Sequence, residues 1–151
     1  MIQQAPLTTE ERNWAMAAHL SALIAIIGFP FGHIVGPLVV HLVKGGESPF
    51  VNSHSKASLN YQLTVSIGAI LAIVIAVVLF VLIVGAGAFA ESADKGAGSA
   101  AAGVGIFGLW MAIIAIVVAV TIGSLIFIIL GTVAASDGRP YTYPFAIRFL
   151  R

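Results

Sequence analysis

The chain has 151 residues, of which 60% are hydrophobic and 9% are charged, and its mean hydropathy is +1.07. A soluble domain carries about a quarter charged residues, so this composition predicts one small membrane domain. The formal net charge of +1 supplies no basic surface for a phosphate backbone, which argues against nucleic-acid binding. The chain has no cysteine, so disulfides, thiolate nucleophiles and Cys-ligated metal centres are excluded.

Residues 1–13 are polar and are predicted to form an N-terminal tail. They lack the basic region of a secretory signal, so we expect no cleavage. Thr8 and Glu11 have the Thr-x-x-Glu spacing of a capping box, in which both side chains satisfy backbone N–H groups at a helix start. A disordered tail is the alternative.

The first apolar stretch, Trp14 to Val43, is interrupted by glycines and prolines. Proline removes a backbone donor and disfavours helix in the residue before it, so breaks are expected at Phe29–Pro30 and Gly36–Pro37. The stretch is either one kinked span or two short helices. The second of those helices would have about 12 residues and a length of about 18 Å, so it is tilted, matched by a thinned bilayer, or re-entrant.

Two later uncharged stretches, residues 63–89 and 104–135, are long enough to cross a membrane. At about 1.5 Å per residue, each exceeds the roughly 30 Å of the hydrocarbon core. The small polar residues 91–102 are predicted to connect them. The predicted fold class is therefore an all-α polytopic membrane bundle with four hydrophobic segments. Residues 14–135 form its single transmembrane domain, and residues 136–151 form an interfacial tail.

The distribution of basic residues favours a first stretch that folds back on itself. In that arrangement only Lys95 lies opposite the other Lys and Arg residues, whereas one kinked span also moves Arg12 across. By the positive-inside rule, the side with more basic residues is cytoplasmic. We therefore predict a multi-pass protein of the cell inner (plasma) membrane with both termini in the cytoplasm.

Residues 44–62, KGGESPFVNSHSKASLNYQ, are the most patterned polar stretch. Gly45–Gly46 is followed by a turn with an apolar anchor. One interpretation is an ordered connection whose apolar side chains dip into lipid. The other is a cytoplasmic docking loop, with the candidate residues Glu47, Ser48, Pro49, Phe50 and His54.

Aromatic and basic residues are mixed in the last 15 residues of the chain. Such residues suit the headgroup layer, where rings are half-buried and cations meet anionic lipid. We interpret this tail as an interfacial anchor formed by Arg139, Tyr141, Tyr143 and Arg148.

The four histidines show no metal-ligand spacing, so neither a metal nor another cofactor is predicted. His19 lies within the first span, where a polar group needs an interhelical partner. We predict that it contacts Asn60 or Gln62 and locks the first helix to the third. No nucleophile lies at a recognisable spacing from a histidine, so the chain is predicted not to be an enzyme.

Three runs, AAHLSALIAIIG, GPLVVHLVKGGESPFVNSHSKASLNYQL and GRPYTYPFAIRF, resemble a bacterial family of Tic-twenty-like membrane proteins. That family is named after a small hydrophobic component of the chloroplast inner-envelope import machinery. The resemblance covers about Trp14 to Phe149. It implies a compact four-helix membrane protein and, in plastid relatives, a protein-conducting or translocon-assembly role.

The predicted function is therefore a non-enzymatic, translocation-related or membrane-complex accessory component that acts through helix packing and the docking loop. The predicted partners are the lipid bilayer, an unidentified membrane or cytoplasmic protein, and a second copy in a homo-oligomer. The alternative is a small oligomeric channel, because four uncharged helices can hardly enclose a hydrated pore alone. Liposome flux would favour the channel.

Overall fold

The computed structural model describes residues 6–27 and 31–151, and the described part of the chain is helical without strands. The elements are α1 (Thr9–Leu20), a 3-10 helix (Ser21–Ile27), α2 (Gly32–Lys44), α3 (Pro49–Ala93) and α4 (Ala97–Ser136). Helices α3 and α4, with 45 and 40 residues, are long and apolar enough to cross a membrane. The all-α fold class is confirmed.

The chain forms two compact units. The first unit combines the described part of residues 1–66 with residues 124–151, and the second, which we call the hairpin unit, is Ile67–Gly123. Helices α3 and α4 contribute to both units, because the boundaries between the units fall inside these helices, after residue 66 in α3 and after residue 123 in α4. The division of the chain into an N-terminal tail, one transmembrane domain and an interfacial tail stays a prediction.

Helix α1 begins with the predicted capping box. The Thr8 hydroxyl accepts a hydrogen bond of 3.1 Å from the Glu11 backbone N–H, and Glu11 Oε2 accepts one of 2.9 Å from the Thr8 N–H. This exchange satisfies two backbone donors that a helix start leaves free. The helix consequently starts at Thr9, within the segment predicted to be a polar tail.

The N-terminal hairpin, described for residues 9–27 and 31–44, brings the start of α1 next to the end of α2. Glu10 at the start of α1 forms an ion pair of 3.3 Å with Lys44 at the end of α2. Gly36 of α2 lies directly against the Ser21 backbone. Ala18 of α1 forms a small hydrophobic core with Val40 of α2 and Val51 of α3, and Trp14 packs against this core. The first apolar stretch is therefore not one continuous rod.

The expected helix break at Gly36–Pro37 is wrong, because α2 runs without interruption from Gly32 to Lys44. Pro37 lies in the second turn, where its missing N–H removes one hydrogen bond, to the His33 carbonyl. The helix around it keeps its remaining bonds. The other expected break, Phe29–Pro30, lies outside the described residues.

Replacing Gly36 with alanine is expected to cost about 1–3 kcal/mol of stability, as overpacking typically does. A Cβ atom added at Gly36 would lie 2.5 Å from the Ser21 carbonyl oxygen, a backbone atom that cannot rotate away. Gly68→Ala is the matched control, because a Cβ atom at Gly68 meets nothing within 4 Å. Thermal unfolding in detergent measures both variants. Equal midpoints would contradict the close approach of α2 to the 3-10 helix.

The hairpin unit is held together by small residues near its turn. A Cβ atom added at Gly87 of α3 would lie 2.6 Å from the Ala102 Cβ of α4, so the two helices touch at backbone distance. Glu91 caps α4 by accepting hydrogen bonds of 2.8 Å from the Gly96 and Ser99 N–H groups. The predicted connection, residues 91–102, is therefore mostly helical, and only residues 94–96 link the two helices.

Candidate functional site: a buried histidine and tyrosine cluster

Three buried polar side chains of the first unit form one connected cluster. His19 on α1 and His54 on α3 are both 0% exposed, and Tyr143 is 5% exposed. His19 Nδ1 lies 2.8 Å from the Tyr143 hydroxyl, and His19 Nε2 lies 2.8 Å from His54 Nδ1. His54 Nε2 lies 3.1 Å from the Arg139 carbonyl oxygen. These contacts join α1 and α3 to the C-terminal segment, residues 137–151.

The Arg139 carbonyl fixes the position of each proton in this cluster. A carbonyl oxygen only accepts, so His54 Nε2 carries a hydrogen and, in a neutral ring, His54 Nδ1 is bare. The His19 Nε2–H then donates to His54. This leaves His19 Nδ1 bare, and it accepts from the Tyr143 hydroxyl. All four ring nitrogens therefore have a partner while both imidazoles are neutral.

Two more tyrosines enclose the cluster. The Tyr61 ring stacks on the Tyr143 ring at a centroid distance of 4.4 Å and an angle of 15°, and its hydroxyl lies 2.9 Å from Ser124 Oγ on α4. The Tyr141 ring meets His19 edge-on at 5.9 Å. Burial raises the pKa of Tyr143 above its ordinary value, because the charged phenolate would lose its hydration. The phenol therefore stays protonated and donates to His19.

Helix α4 approaches the cluster at Gly131. A Cβ atom there would lie 2.9 Å from His19 Nδ1 and 3.1 Å from the Tyr141 ring. A larger residue would push His19 away from its partners, so glycine at this position lets α4 cover the cluster.

The C-terminal segment is bound along α3 by polar side chains. Asn60 Oδ1 accepts hydrogen bonds of 3.0 and 2.8 Å from the Phe149 and Leu150 N–H groups, and Asn60 Nδ2 donates one of 3.0 Å to the Leu150 carbonyl. Thr64 Oγ1 accepts one of 2.9 Å from the Ile147 N–H. The Asn60 amide thus pairs with the backbone of the C-terminal segment as a neighbouring strand would, because it accepts from backbone N–H groups and donates to a backbone carbonyl.

The predicted contact of His19 with Asn60 or Gln62 is not found. His19 binds His54 and Tyr143 instead, while the Asn60 amide is occupied by the C-terminal segment. Gln62 is 4% exposed, and its backbone carbonyl accepts a hydrogen bond of 2.8 Å from the Ser66 hydroxyl. His19 does join α1 to α3, but its hydrogen bond is to His54, which lies in an earlier turn of α3 than Asn60 and Gln62.

Two candidate residues of the predicted docking loop lie inside the protein. Helix α3 begins at Pro49, so His54 belongs to its second turn, where it is 0% exposed and bonded within the cluster. Ser48 is 5% exposed and donates a hydrogen bond of 2.7 Å to Glu11 Oε1 on α1. Neither side chain is accessible to a docking partner.

The other three candidates remain at the surface. Glu47 and Pro49 are exposed, and the half-buried Phe50 ring rests on His54 at a centroid distance of 4.5 Å. A shallow cavity of about 160 Å³ lies beside Glu47 and is also lined by Trp14 and Lys44. The accessible part of the predicted docking loop is therefore the turn that precedes α3 together with the first two residues of α3.

The four predicted anchor residues have different environments. Tyr143 is buried in the cluster and Tyr141 is half-buried against it, so the two rings do not form an exposed aromatic anchor. The Arg139 side chain forms an ion pair of 2.7 Å with Asp137, while its carbonyl binds His54. Arg148 is exposed. Composition alone could not separate a tail lying on lipid from a tail packed on α3.

The hydrogen bonds at Glu11 should make the junction between α1 and α3 sensitive to acid. The bond from Ser48, followed by the bonds from Thr8, lowers the pKa of Glu11 below its ordinary value of 4.5. A carboxylate whose pKa is lower in the folded state stabilises the fold fully above the unfolded pKa and loses that contribution as the pH falls through the folded pKa. The difference in unfolding midpoint between the native chain and Glu11→Gln should therefore shrink below about pH 4.5. A difference independent of pH would contradict this role.

The chemistry of the cluster is that of a structural junction. Both nitrogens of His19 and both of His54 are occupied by hydrogen bonds, so a metal ion would have to displace existing partners. Across residues 6–27 and 31–151, no three His, Asp or Glu residues are grouped as metal ligands. The arrangement bonds α1, α3 and the C-terminal segment together.

The fold and this site define the class of protein as a helical membrane protein with two long apolar helices. The chain belongs to the MamF/MmsF family, the magnetosome magnetite crystal formation protein family, whose model matches residues 10–150. No curated protein and no solved structure shows significant similarity to the chain.

The family match corrects the resemblance drawn from the sequence. The Tic-twenty-like assignment is wrong, because the matching family is MamF/MmsF and it covers nearly the whole chain. The translocation-related role rested on that resemblance and is not retained. The prediction of a membrane protein is confirmed.

Proposed function

We propose that the chain is a non-enzymatic component of the magnetosome membrane that acts in the formation of magnetite crystals. The observation that carries this proposal is the MamF/MmsF family match over residues 10–150. The apolar stretches of α3 and α4 provide its membrane anchorage. The hydrogen-bonded cluster supports a non-enzymatic role, since its ring nitrogens bind protein groups.

The proposal is tested by removing the chain from a magnetosome-forming bacterium and restoring it as the native sequence or as His19→Leu. Electron microscopy measures the size, shape and number of the crystals. Removal should alter the crystals, and only the native chain should restore them fully. Unaltered crystals after removal would contradict the proposed function. Quantifying the chain in isolated membranes separates loss of function from loss of protein.

Partner binding through the turn that precedes α3 is the second part of this proposal. Glu47 offers an exposed carboxylate next to the shallow cavity, and the Lys44 ammonium lies 5.7 Å from the centre of the Trp14 ring in the same cavity. Co-purification from isolated membranes should lose a defined partner in Glu47→Lys. The matched control is Asp94→Lys, which places the same charge change in the connection of the hairpin unit. Equal recovery of partners with both variants would contradict this docking site.

The proposed topology places both termini in the cytoplasm. Since the chain has no native cysteine, single cysteines at Gly46, Lys95 and Thr142 report their own position. A membrane-impermeant maleimide should label Gly46→Cys and Thr142→Cys from the cytoplasmic face and Lys95→Cys from the opposite face. Labelling of Gly46→Cys and Lys95→Cys from the same face would overturn the topology.

A further inference from the structure

Helix α2 has its polar side chains inside and its large apolar side chains outside. The five aliphatic residues of its outer face are between 38% and 73% exposed: Val35, Leu38, Val39, Leu42 and Val43. Its buried residues are Gly32, Gly36, Pro37 and Val40, and Gly36 lies directly against the Ser21 backbone. Soluble proteins place large aliphatic side chains inside, so this pattern is the reverse of the one that water imposes.

The two histidines of α2 both turn toward α3. His33 Nε2 lies 2.9 Å from Ser66 Oγ, and His41 Nδ1 lies 2.9 Å from Ser55 Oγ. Each serine hydroxyl already donates its hydrogen to a backbone carbonyl of α3, so each histidine is the donor. Before Lys44, no polar side chain of α2 is left on its outer face. Polar groups in a lipid environment behave in this way, because they find partners inside the protein.

The outer face of α2 has the depth of one leaflet. From Val35 to Val43 the helix rises about 12 Å, compared with about 15 Å for half of a typical hydrocarbon core. The whole helix has 13 residues, which at about 1.5 Å each is too short to cross about 30 Å. Lys44, the last residue of α2, forms ion pairs with Glu10 and Glu47. These charges mark the C-terminal end of α2 as the aqueous end.

We infer that the N-terminal hairpin is re-entrant: it enters one leaflet, returns to the same side, and presents the outer face of α2 to lipid acyl chains. Helix α2 bonds to α3 at Ser55 and Ser66, and the uncharged stretch of α3 that is long enough to span a membrane, residues 63–89, begins beside the second of these contacts. The protein accordingly crosses the membrane twice, through α3 and α4. The basic residues outside the hairpin unit remain on one side, as in the four-crossing arrangement.

Spin labels on single cysteines test the lipid contact in vesicles of phosphatidylcholine and phosphatidylglycerol. Val39→Cys reports on the outer face of α2, Gly46→Cys on the aqueous turn, and Val74→Cys on a spanning helix. At Val39 collisions with oxygen should exceed those with a water-soluble nickel chelate, as at Val74, whereas at Gly46 the chelate should dominate. A label at Val39 that the chelate reaches as readily as at Gly46 would overturn the inference. Protection from both reagents, with broadening that unlabelled protein relieves, would assign this face to a second copy instead.

A second variant separates re-entry from crossing. Phe31 precedes α2 and is 69% exposed, so Phe31→Cys marks the tip of the hairpin without disturbing its core. A membrane-impermeant maleimide added to the face that labels Lys95→Cys should leave Phe31→Cys unmodified. Labelling from that face would show that the hairpin crosses the bilayer and would overturn the inference. The unfolding midpoint of each variant in detergent verifies that its fold is intact, and the experiment is independent of any role in crystal formation.

Discussion

Replacing His19 with leucine is expected to lower the free energy of unfolding by about 2–6 kcal/mol. The change leaves the Tyr143 hydroxyl and His54 Nδ1 without their partner in a site that water does not reach. A buried polar group that loses its partner costs about 1–3 kcal/mol, and two such groups are affected. Thermal unfolding in detergent, followed by circular dichroism, measures the effect as a lower midpoint.

His33→Leu is the matched control for this experiment. It makes the same substitution on the same hairpin, but His33 is half-buried and has one side-chain hydrogen bond, to Ser66. Its expected cost is about 1 kcal/mol, the typical net value of one hydrogen bond. If His19→Leu unfolds at the same temperature as the native chain, or at the same temperature as His33→Leu, the cluster does not hold the first unit together.

Replacing Asn60 with leucine is expected to release the C-terminal segment at a cost of about 2–4 kcal/mol. The segment loses two hydrogen bonds that Asn60 accepts and one that it donates, each typically worth about 0.5–1.5 kcal/mol. The exposed Arg148 lies within the released segment, so trypsin should cleave after it faster than in the native chain. The rate of that cleavage measures the release directly.

Asn60→Asp separates the two functions of this side chain. Aspartate keeps the oxygen that accepts from the Phe149 and Leu150 N–H groups, but it cannot donate to the Leu150 carbonyl. Its cleavage rate should lie between those of the native chain and Asn60→Leu. If Asn60→Leu is cleaved no faster than the native chain, the C-terminal segment is held by other contacts.

Features encoded by neighbouring residues were predictable from the sequence. The capping box at Thr8 and Glu11 depends on four consecutive residues, and the structure contains both of its hydrogen bonds. The two long apolar helices follow from uninterrupted hydrophobic stretches, whose length a bilayer determines. Pro37 was misjudged because the loss of one hydrogen bond, to the His33 carbonyl, does not end α2, which continues from Gly32 to Lys44.

The candidate site depends on contacts between distant parts of the chain. His19 and Tyr143 are separated by 124 positions, and no local pattern indicates that they meet. The aromatic and basic residues of the tail suit a headgroup layer as well as a polar interior, so their composition allowed both interpretations. His54 was assigned to a loop because it lies in the polar stretch of residues 44–62, whereas Asn52 and Ser55 of that stretch bond within α3 and to its neighbours.

The residues that carried the mistaken family resemblance have structural roles in this chain. The runs that carried it contain His19, Asn60 and Tyr143, whose side chains hold the first unit together. Such residues report how a chain packs, and a packing arrangement does not specify an activity. The oligomeric channel stays a prediction that liposome flux can test.

The proton positions on His19 and His54 show most directly whether the buried cluster is the neutral, hydrogen-bonded junction described above. Solid-state ¹⁵N NMR of the histidine rings, with the protein in lipid, distinguishes a protonated from a bare ring nitrogen. We expect His19 and His54 both to be neutral, with hydrogen on Nε2 and a bare Nδ1 that accepts a hydrogen bond. Rings that exchange with water, or that carry hydrogen on Nδ1, would contradict it.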